Sequence, residues 1–281
     1  MKKAVSLILA VVMIMVLFTG CGSGKRNHND ITVISREDGS GTREGFIELM
    51  GIKVDGKDRT VATSEISSST SVIMITVAGN PNAIGYISLG SLNDTVKAVK
   101  VDGIKAAEDT IKMGEYPVVR PFNIVTKSDL SKEAEDFITF IMSKEGQAII
   151  SNKGYIPSAE KPKEYVKHNG INGRIVLAGS TSVAPVMESL ADAYKDMYQG
   201  VEIEIQQTGS GAGITSTIEG ACDIGMASRN LKEEEAESGI TQIQIALDGI
   251  VVIVNKENKV DNLSSEQIRK IFMGEITTWE Q

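Results

Sequence analysis

Short apolar runs of strand character alternate along this chain with stretches in which apolar residues recur at helical spacing. Residues 31–34 form one such run, and Phe46, Leu49 and Met50 then mark a helix face. Residues 71–78 are apolar enough for a short helix, and Asn80-Pro81-Asn82 turns the chain into a strand over 83–88. A strand over 96–101 ends at the turn Asp102-Gly103. Two prolines box an extended segment over 116–121, read as a crossing, and a strand over 122–126 follows. Ser131 is placed to cap a helix reaching Gly146, with Ala134, Phe137, Ile138 and Ile141 inward. Further on come a strand over 174–177, a helix with Val183, Met187, Leu190, Tyr194 and Met197 on one face, and an alternating strand over 201–205. Residues 250–254 are continuously apolar, as in a strand covered on both faces. Ser264 and Gln267 fit a capping box ahead of Ile268, Ile271 and Phe272. Strands alternating with helices predict an α/β fold, in which ligands sit beyond the carboxyl ends of strands.

The turns at those strand ends carry the candidate chemistry. Residues 35–43 read Ser-Arg-Glu-Asp-Gly-Ser-Gly-Thr-Arg between a strand and a helix. Gly39 and Gly41 allow a tight turn and close backbone approach, while Ser40 and Thr42 supply hydroxyls. Arg36 offers a fork of donors suited to a tetrahedral oxyanion, and Asp38 is placed to hold that guanidinium. Residues 178–185, Ala-Gly-Ser-Thr-Ser-Val-Ala-Pro, open a second helix, with Pro185 where a missing N–H costs nothing. Residues 208–213, Thr-Gly-Ser-Gly-Ala-Gly, open a third. A helix start presents unpaired N–H groups and a partial positive charge. Three such turns predict one anion site built of hydroxyls and amides. Residues 65–70 are either another ligand-facing loop or a solvated one.

The chain has 281 residues and a net charge of −8, which argues against a nucleic-acid binder and means that any anion site works locally. His28 and His168 lie in polar segments and are expected in solvent. No Ser centres a nucleophile elbow, and no Cys/His spacing suits a metal. Residues 51–58 resemble a phosphate loop up to Gly56-Lys57, but offer Asp58 where Ser or Thr is needed. The four glutamates between 231 and 238 read as a solvated helix face. Together these predict binding without turnover: no enzyme, no catalytic residue, no cofactor and no metal. Cys222 reads as a small buried thiol with no disulfide partner.

Lys2 and Lys3 precede an apolar stretch over 4–18, short of the roughly 20 residues that span a bilayer. It fits a secretory leader over 1–20. The following Leu-Phe-Thr-Gly-Cys resembles the bacterial lipobox, with Phe18 where Leu is usual, and implies lipidation at Cys21. Residues 21–30 then read as a flexible tether, and 161–173, with three Lys and Pro162, as a surface linker.

Segments 35–42, 179–185, 208–213 and 223–229 resemble the periplasmic phosphate-binding proteins of Pst-type phosphate ABC transporters, as do 79–89, 146–157, 248–255 and 262–279. The resemblance implies a type II periplasmic-binding-protein-like fold of two α/β lobes with phosphate between them. Its order is rotated: the Gly-Ser-Thr-Ser turn comes first in the family, and the Arg36 turn follows the segment resembling 276–279. The chain therefore resembles a circular permutant, or alternatively a fragment straddling tandem copies. One lobe would comprise 31–115 with 246–281, the other 116–245, with 158–173 linking the old termini. Arg36 would pair with phosphate and Asp38 would orient it. Ser40, Gly41 and Thr42 would face the anion from one lobe, and Ser180, Thr181, Ser182, Ser210, Gly211 and Ser228 from the other. Some family members accept the phosphate proton on an Asp where Ser228 or Arg229 stands here, leaving Asp223, Asp248 and Glu65 as candidate acceptors. The implied function is a monomeric, lipid-anchored, extracytoplasmic phosphate receptor for membrane permease subunits. The alternatives are a receptor for sulfate or molybdate, or a non-transporting phosphate sensor.

Overall fold

The computed structural model of the chain describes residues 29–279. The expected leader, Cys21, His28 and most of the tether lie outside the described residues. Of the described residues, 29–30 with 278–279 fall in a terminal unit and 31–277 form the body. Within the terminal unit Asp30 forms an antiparallel bridge with Thr278, and Trp279 N donates to Asn29 O at 3.0 Å.

The body contains strands β1 (Thr32–Arg36), β2 (Lys53–Val54), β3 (Lys57–Asp58), β4 (Glu65–Ser67), β5 (Ala83–Ser88), β6 (Lys97–Ala98), β7 (Lys100–Val101), β8 (Val119–Thr126), β9 (Ile156–Pro157), β10 (Gly173–Gly179), β11 (Val201–Gln207), β12 (Ile224–Ala227), β13 (Thr241–Val254) and β14 (Asn262–Leu263). Its helices are α1 (Gly41–Leu49), α2 (Thr70–Gly79), α3 (Glu108–Lys112), α4 (Lys132–Ile141), α5 (Lys144–Asn152), α6 (Ala184–Met197), α7 (Ser210–Glu219), α8 (Glu233–Ala236) and α9 (Ser265–Phe272).

The main sheet runs β11-β10-β12-β8-β13-β5-β1-β4. β13 is its beam. Residues 241–249 pair antiparallel with β8, and Ile250–Val254 pair with β5. The apolar run at 250–254 is thus the end of a strand of 14 residues, with a register shift between Gln244 and Ala246. β10 lies parallel to β11 and β12 on one side, and β1 lies parallel to β4 and β5 on the other. Both groups send their carboxyl ends towards helix starts, and those ends carry the anion turns.

Among the described residues, two cores hold clustered aromatic rings. One gathers Phe122, Phe137, Tyr155, Leu190, Tyr194 and Ile224. In the other, Phe46 stacks on Tyr86 at 4.0 Å and meets Phe272 edge-on at 4.8 Å, so distant parts of the chain share one aromatic cluster. All three rings are buried, each phenyl contributing about 1.5–3 kcal/mol relative to exposure. Residues 116–121, expected as a crossing, run into β8 from Val119 on and lie against β13: Tyr116 Oη donates to Ile250 O and Ile250 N to Val118 O, both at 2.8 Å.

Several local expectations change. The helix from Ser131 stops at Ile141, and Ser143 caps a second helix by accepting from Gly146 N. A Cβ at Gly146 would meet Phe140 O at 2.2 Å, so the chain turns tightly there. The strand over 96–101 splits, with β6 on β13 and β7 on β14. Residues 65–70 form an edge strand and a helix start rather than a loop, with Glu65 and Ile66 exposed but Ser67 and Thr70 buried. His168 is not simply solvated, because its Nδ1 lies 2.6 Å from Asp136 Oδ1. Among the described residues no helix is long and apolar enough to cross a membrane.

Candidate anion-binding site

Strand β1 ends at Arg36, and the next residues turn directly into α1. Tyr86 steadies that strand end from below: its hydroxyl accepts from Arg36 N at 3.2 Å and shares a hydrogen bond with Ser35 Oγ at 2.9 Å. Ser40 is the N-cap of α1, accepting from Arg43 N. On the other side of the cleft β10 ends at Gly179, and Ser180–Ser182 lead into α6. Ser180 Oγ accepts from Ser182 N at 3.2 Å and so caps this turn locally. β11 leads to Gly209 and the start of α7 at Ser210, while β12 delivers Ser228.

These ends meet. Arg36 Nη2 donates to Thr181 Oγ1 at 3.0 Å, and the hydroxyls of Thr42 and Ser182 share a hydrogen bond at 2.8 Å. Ser180 Oγ donates to Ser228 Oγ at 3.0 Å, and Ser228 N donates to Ser210 Oγ at 3.1 Å. Gly211 N donates to Gly39 O at 3.0 Å, which ties the first turn to the third. Arg36, Ser40, Thr42, Ser180, Thr181, Ser182, Ser210 and Ser228 are all buried. A Cβ on Gly41 would stand 2.5 Å from Ser210 Oγ and 2.7 Å from Ser228 Oγ, so this approach needs glycine. Every residue named for the site from the sequence, Asp38 and Cys21 apart, therefore lies in or against one cluster. Thr70, at the first position of α2, joins it at 3.5 Å from Ser182 Oγ. Its hydroxyl at a helix start after Ser69 was a signal of the same kind as Thr42.

The electrostatics differ from expectation at one point. Asp38 does not hold Arg36; its exposed carboxylate pairs with Arg43 at 2.9 Å. Glu37 holds Arg36 instead, through Nε–Oε2 and Nη2–Oε1 contacts of 2.8 Å each. The reason is reach. Asp38 sits beyond the strand end on the solvent side of the turn, whereas the longer Glu37 side chain folds back on the buried fork. None of the candidate proton acceptors touches the cluster. Asp223 accepts from Val176 N at 2.8 Å, Glu65 is exposed, and Asp248 is buried against Arg120 at 2.9 Å and Ser88 at 2.8 Å. Burial holds the Asp248 carboxyl above the ordinary range, with Arg120 pulling the other way.

The starts of α1, α2, α6 and α7 all border the cluster, so their amides and partial charges favour an anion among hydroxyls that donate and accept. A cavity of about 750 Å³ opens beside it, lined by Asp38, Gly39, Arg43, Glu44, Arg229 and Lys232 among others. The four-glutamate segment contributes here. Glu235 is mostly buried and pairs with Arg229 at 2.7 Å, so it is not part of a solvated face. Hydrogen bonds from Arg229 and Lys232 N outweigh burial and hold its carboxyl below the usual range.

A family model described as the PBP superfamily domain matches residues 23–145 and 166–281. A phosphate-binding protein PstS 2 of Streptococcus agalactiae is 48% identical over 271 residues, which is 94% of this chain and 92% of that one. The chain belongs to the phosphate-binding protein family of the PBP superfamily. A crystal structure of a phosphate-binding protein of a phosphate ABC transporter from Streptococcus pneumoniae TIGR4 is 48% identical, with a TM-score of 0.71 over 89% of this chain and 98% of its own. A phosphate-binding protein PstS of Bacillus subtilis belongs to the same family but aligns over just 129 residues at 33% identity, 45% of this chain and 41% of that one.

Proposed function

We propose that the chain is an extracytoplasmic receptor that binds inorganic phosphate and delivers it to the permease subunits of an ABC importer. The observation that carries this reading is the gathering of the Arg36–Thr181, Thr42–Ser182, Ser180–Ser228 and Ser210–Ser228 pairs into one buried cluster at the starts of several helices. The names of the relatives support phosphate over other tetrahedral anions. The donors Arg36, Ser40, Gly41, Thr42, Ser180, Thr181, Ser182, Ser210, Gly211 and Ser228 would surround the anion, and Glu37 would orient Arg36. A hydroxyl can donate or accept, so this set suits a partly protonated anion without a dedicated carboxylate acceptor. Titration calorimetry with phosphate, sulfate and molybdate tests the reading: phosphate binds at one site per monomer, and a flat phosphate titration rejects it.

The receptor is held to the outer face of the membrane by a lipid on Cys21. Mass spectrometry of membrane-associated protein should find diacylglyceryl at that residue, and Cys21→Ser should release the protein.

Its order, which the collinear match to the Streptococcus agalactiae protein shares, would be a circular permutation of that of the Bacillus subtilis protein, with lobes at 31–115 plus 246–281 and at 116–245. Two observations support this. Ile31 N donates to Thr277 O at 2.8 Å, so the start of β1 continues from the segment that precedes it in the rotated order. The short match to the Bacillus subtilis protein fits as well, because a collinear alignment follows just one block of a rotated chain. Joining 277 to 31 and opening 158–173 should leave a protein that folds and binds phosphate; loss of both rejects the rotation.

A further inference from the structure

We propose that Glu44 is a positioning residue for anion binding: its carboxylate ties the two walls of the cleft together and sets how long the bound anion stays. Resting on the phosphate reading in its second half, the proposal starts from a contact that reading does not use. Glu44 lies on α1, two residues after Thr42 of the hydroxyl cluster. Its Oε2 pairs with Arg229 Nε, and its Oε1 lies 3.2 Å from Lys232 Nζ. Arg229 directly follows Ser228 of the same cluster. In the sheet β8, β13 and β5 separate β1, which leads to α1, from β12, which ends before Arg229. The contact therefore crosses the cleft and does not follow from neighbouring strands.

The opposite partner is built to hold still. Arg229 is 8% exposed, and Glu235 takes its two terminal nitrogens at 2.7 Å each. Asn123 Nδ2 donates to Arg229 O at 2.8 Å, which fixes the backbone to β8. Nε is the edge left over, and Glu44 meets it as an ion pair rather than an aligned hydrogen bond. Glu44 is thus the one member of the set carried by the far wall. When the walls part, its charge must find water while Arg229 keeps Glu235. A negative charge beside an anion's entrance would by itself repel the ligand. The tie and the repulsion therefore predict opposite outcomes when the charge is removed.

The test compares the parent with Glu44→Gln and with Glu48→Gln, a control one turn further along the same helix and exposed to solvent. Phosphate release is followed by stopped flow at low and high salt. The tie predicts that Glu44→Gln releases phosphate about three- to tenfold faster, associates no more slowly, and loses the salt dependence of release that the parent shows. Glu48→Gln stays at the parent rate. Equal release, or tighter binding by Glu44→Gln, overturns the proposal. Hydrogen exchange without phosphate gives an independent arm: amides at 228–232 should exchange faster in Glu44→Gln than in the parent or the control. If the parent binds no phosphate, the functional reading falls, and unchanged exchange in Glu44→Gln would then reject the tie as well.

Discussion

The centre of the candidate site and its rim accommodate polar groups by opposite means. At the centre, Arg36, Thr42, Ser182, Ser210 and Ser228 are almost wholly buried and, Arg36 aside, uncharged. At the rim, Arg43, Glu44 and Lys232 keep partial contact with water, and Asp38 is 99% exposed. Hydroxyls tolerate burial because each finds a partner in the next, as the Thr42–Ser182 and Ser180–Ser228 pairs do. An unpaired charge would not, so the cation within the cluster, Arg36, has Glu37 already attached. On the proposed reading the centre would select by hydrogen-bond geometry and helix-end amides, which a net charge of −8 over the molecule does not cancel. Selection by charge would then fall to the rim, where salt screens it.

Removing the central cation should break this arrangement most severely. Arg36→Ala loses charge-assisted hydrogen bonds worth roughly 1.5–3 kcal/mol, so phosphate affinity should fall about tenfold or more. Arg36→Lys should also lose affinity, because the fork that meets Glu37 and Thr181 is gone. Calorimetry at parent affinity for either variant would show the centre to be elsewhere. Gly41→Ala comes next. Its methyl would press on Ser210 and Ser228, and overpacking of this kind costs about 1–3 kcal/mol. The expected result is a fold that survives, seen by an unchanged far-ultraviolet spectrum, with phosphate affinity reduced about tenfold. Glu37→Gln is milder. It keeps the shape but leaves Arg36 without its counter-charge, and affinity should change by about threefold while the rim's salt dependence stays. Unaltered binding in Glu37→Gln would mean that Thr181 and the strand end already fix Arg36.

The centre was more legible in the sequence than the rim, for a physical reason. Turn chemistry is local: a strand end, a glycine and a hydroxyl at a helix start all occur within a few residues, as at 35–42 and 208–213. The capping box of Ser264 and Gln267 is equally local, and it forms with Ser264 N donating to Gln267 Oε1 at 2.9 Å. Rim contacts are decided by tertiary geometry. Asp38 and Glu37 are neighbours, and no pattern says which one reaches back to Arg36. Glu44 and Arg229 lie far apart in sequence and meet only because their walls do. In the fold, β13 was half visible. Residues 250–254 are apolar on both faces, whereas in the first half Ile243, Ile245 and Leu247 alternate with Gln242, Gln244 and Ala246, a strand period cut off from the apolar run by Asp248-Gly249. The break between α4 and α5 was hidden because Ile138, Ile141 and the residues after Ser143 keep a helical spacing across it.

The smallest effect on phosphate should come from Asp136, whose hydrogen bonds go to Tyr165, Tyr194 and His168 and to neither region, and it separates binding from folding. Asp136 on α4 accepts from Tyr194 Oη at 2.6 Å and from Tyr165 Oη, and faces His168 Nδ1 at 2.6 Å. Tyr165 and His168 lie in the 158–173 segment, so this carboxylate pins that segment to the body. Burial raises the Asp136 carboxyl, but the hydrogen bonds from Tyr165, Tyr194 and His168 outweigh it and leave it below the usual aspartate range. A depressed folded value means that the stabilisation is complete above the unfolded value, near about 3.9, and is lost as pH falls through the folded one. Asp136→Asn should therefore melt at lower temperature than the parent near neutral pH, by roughly 1–3 kcal/mol of stability. The gap should narrow as the pH is lowered below about 4. Other depressed carboxylates, Asp58 and Glu235 among them, contribute to both proteins alike, so the difference between the two melting curves isolates Asp136. Phosphate affinity at neutral pH should not move. A constant gap across the acid range would show that the carboxylate's charge does not hold the segment, and a loss of phosphate binding would show that the segment reaches the cleft.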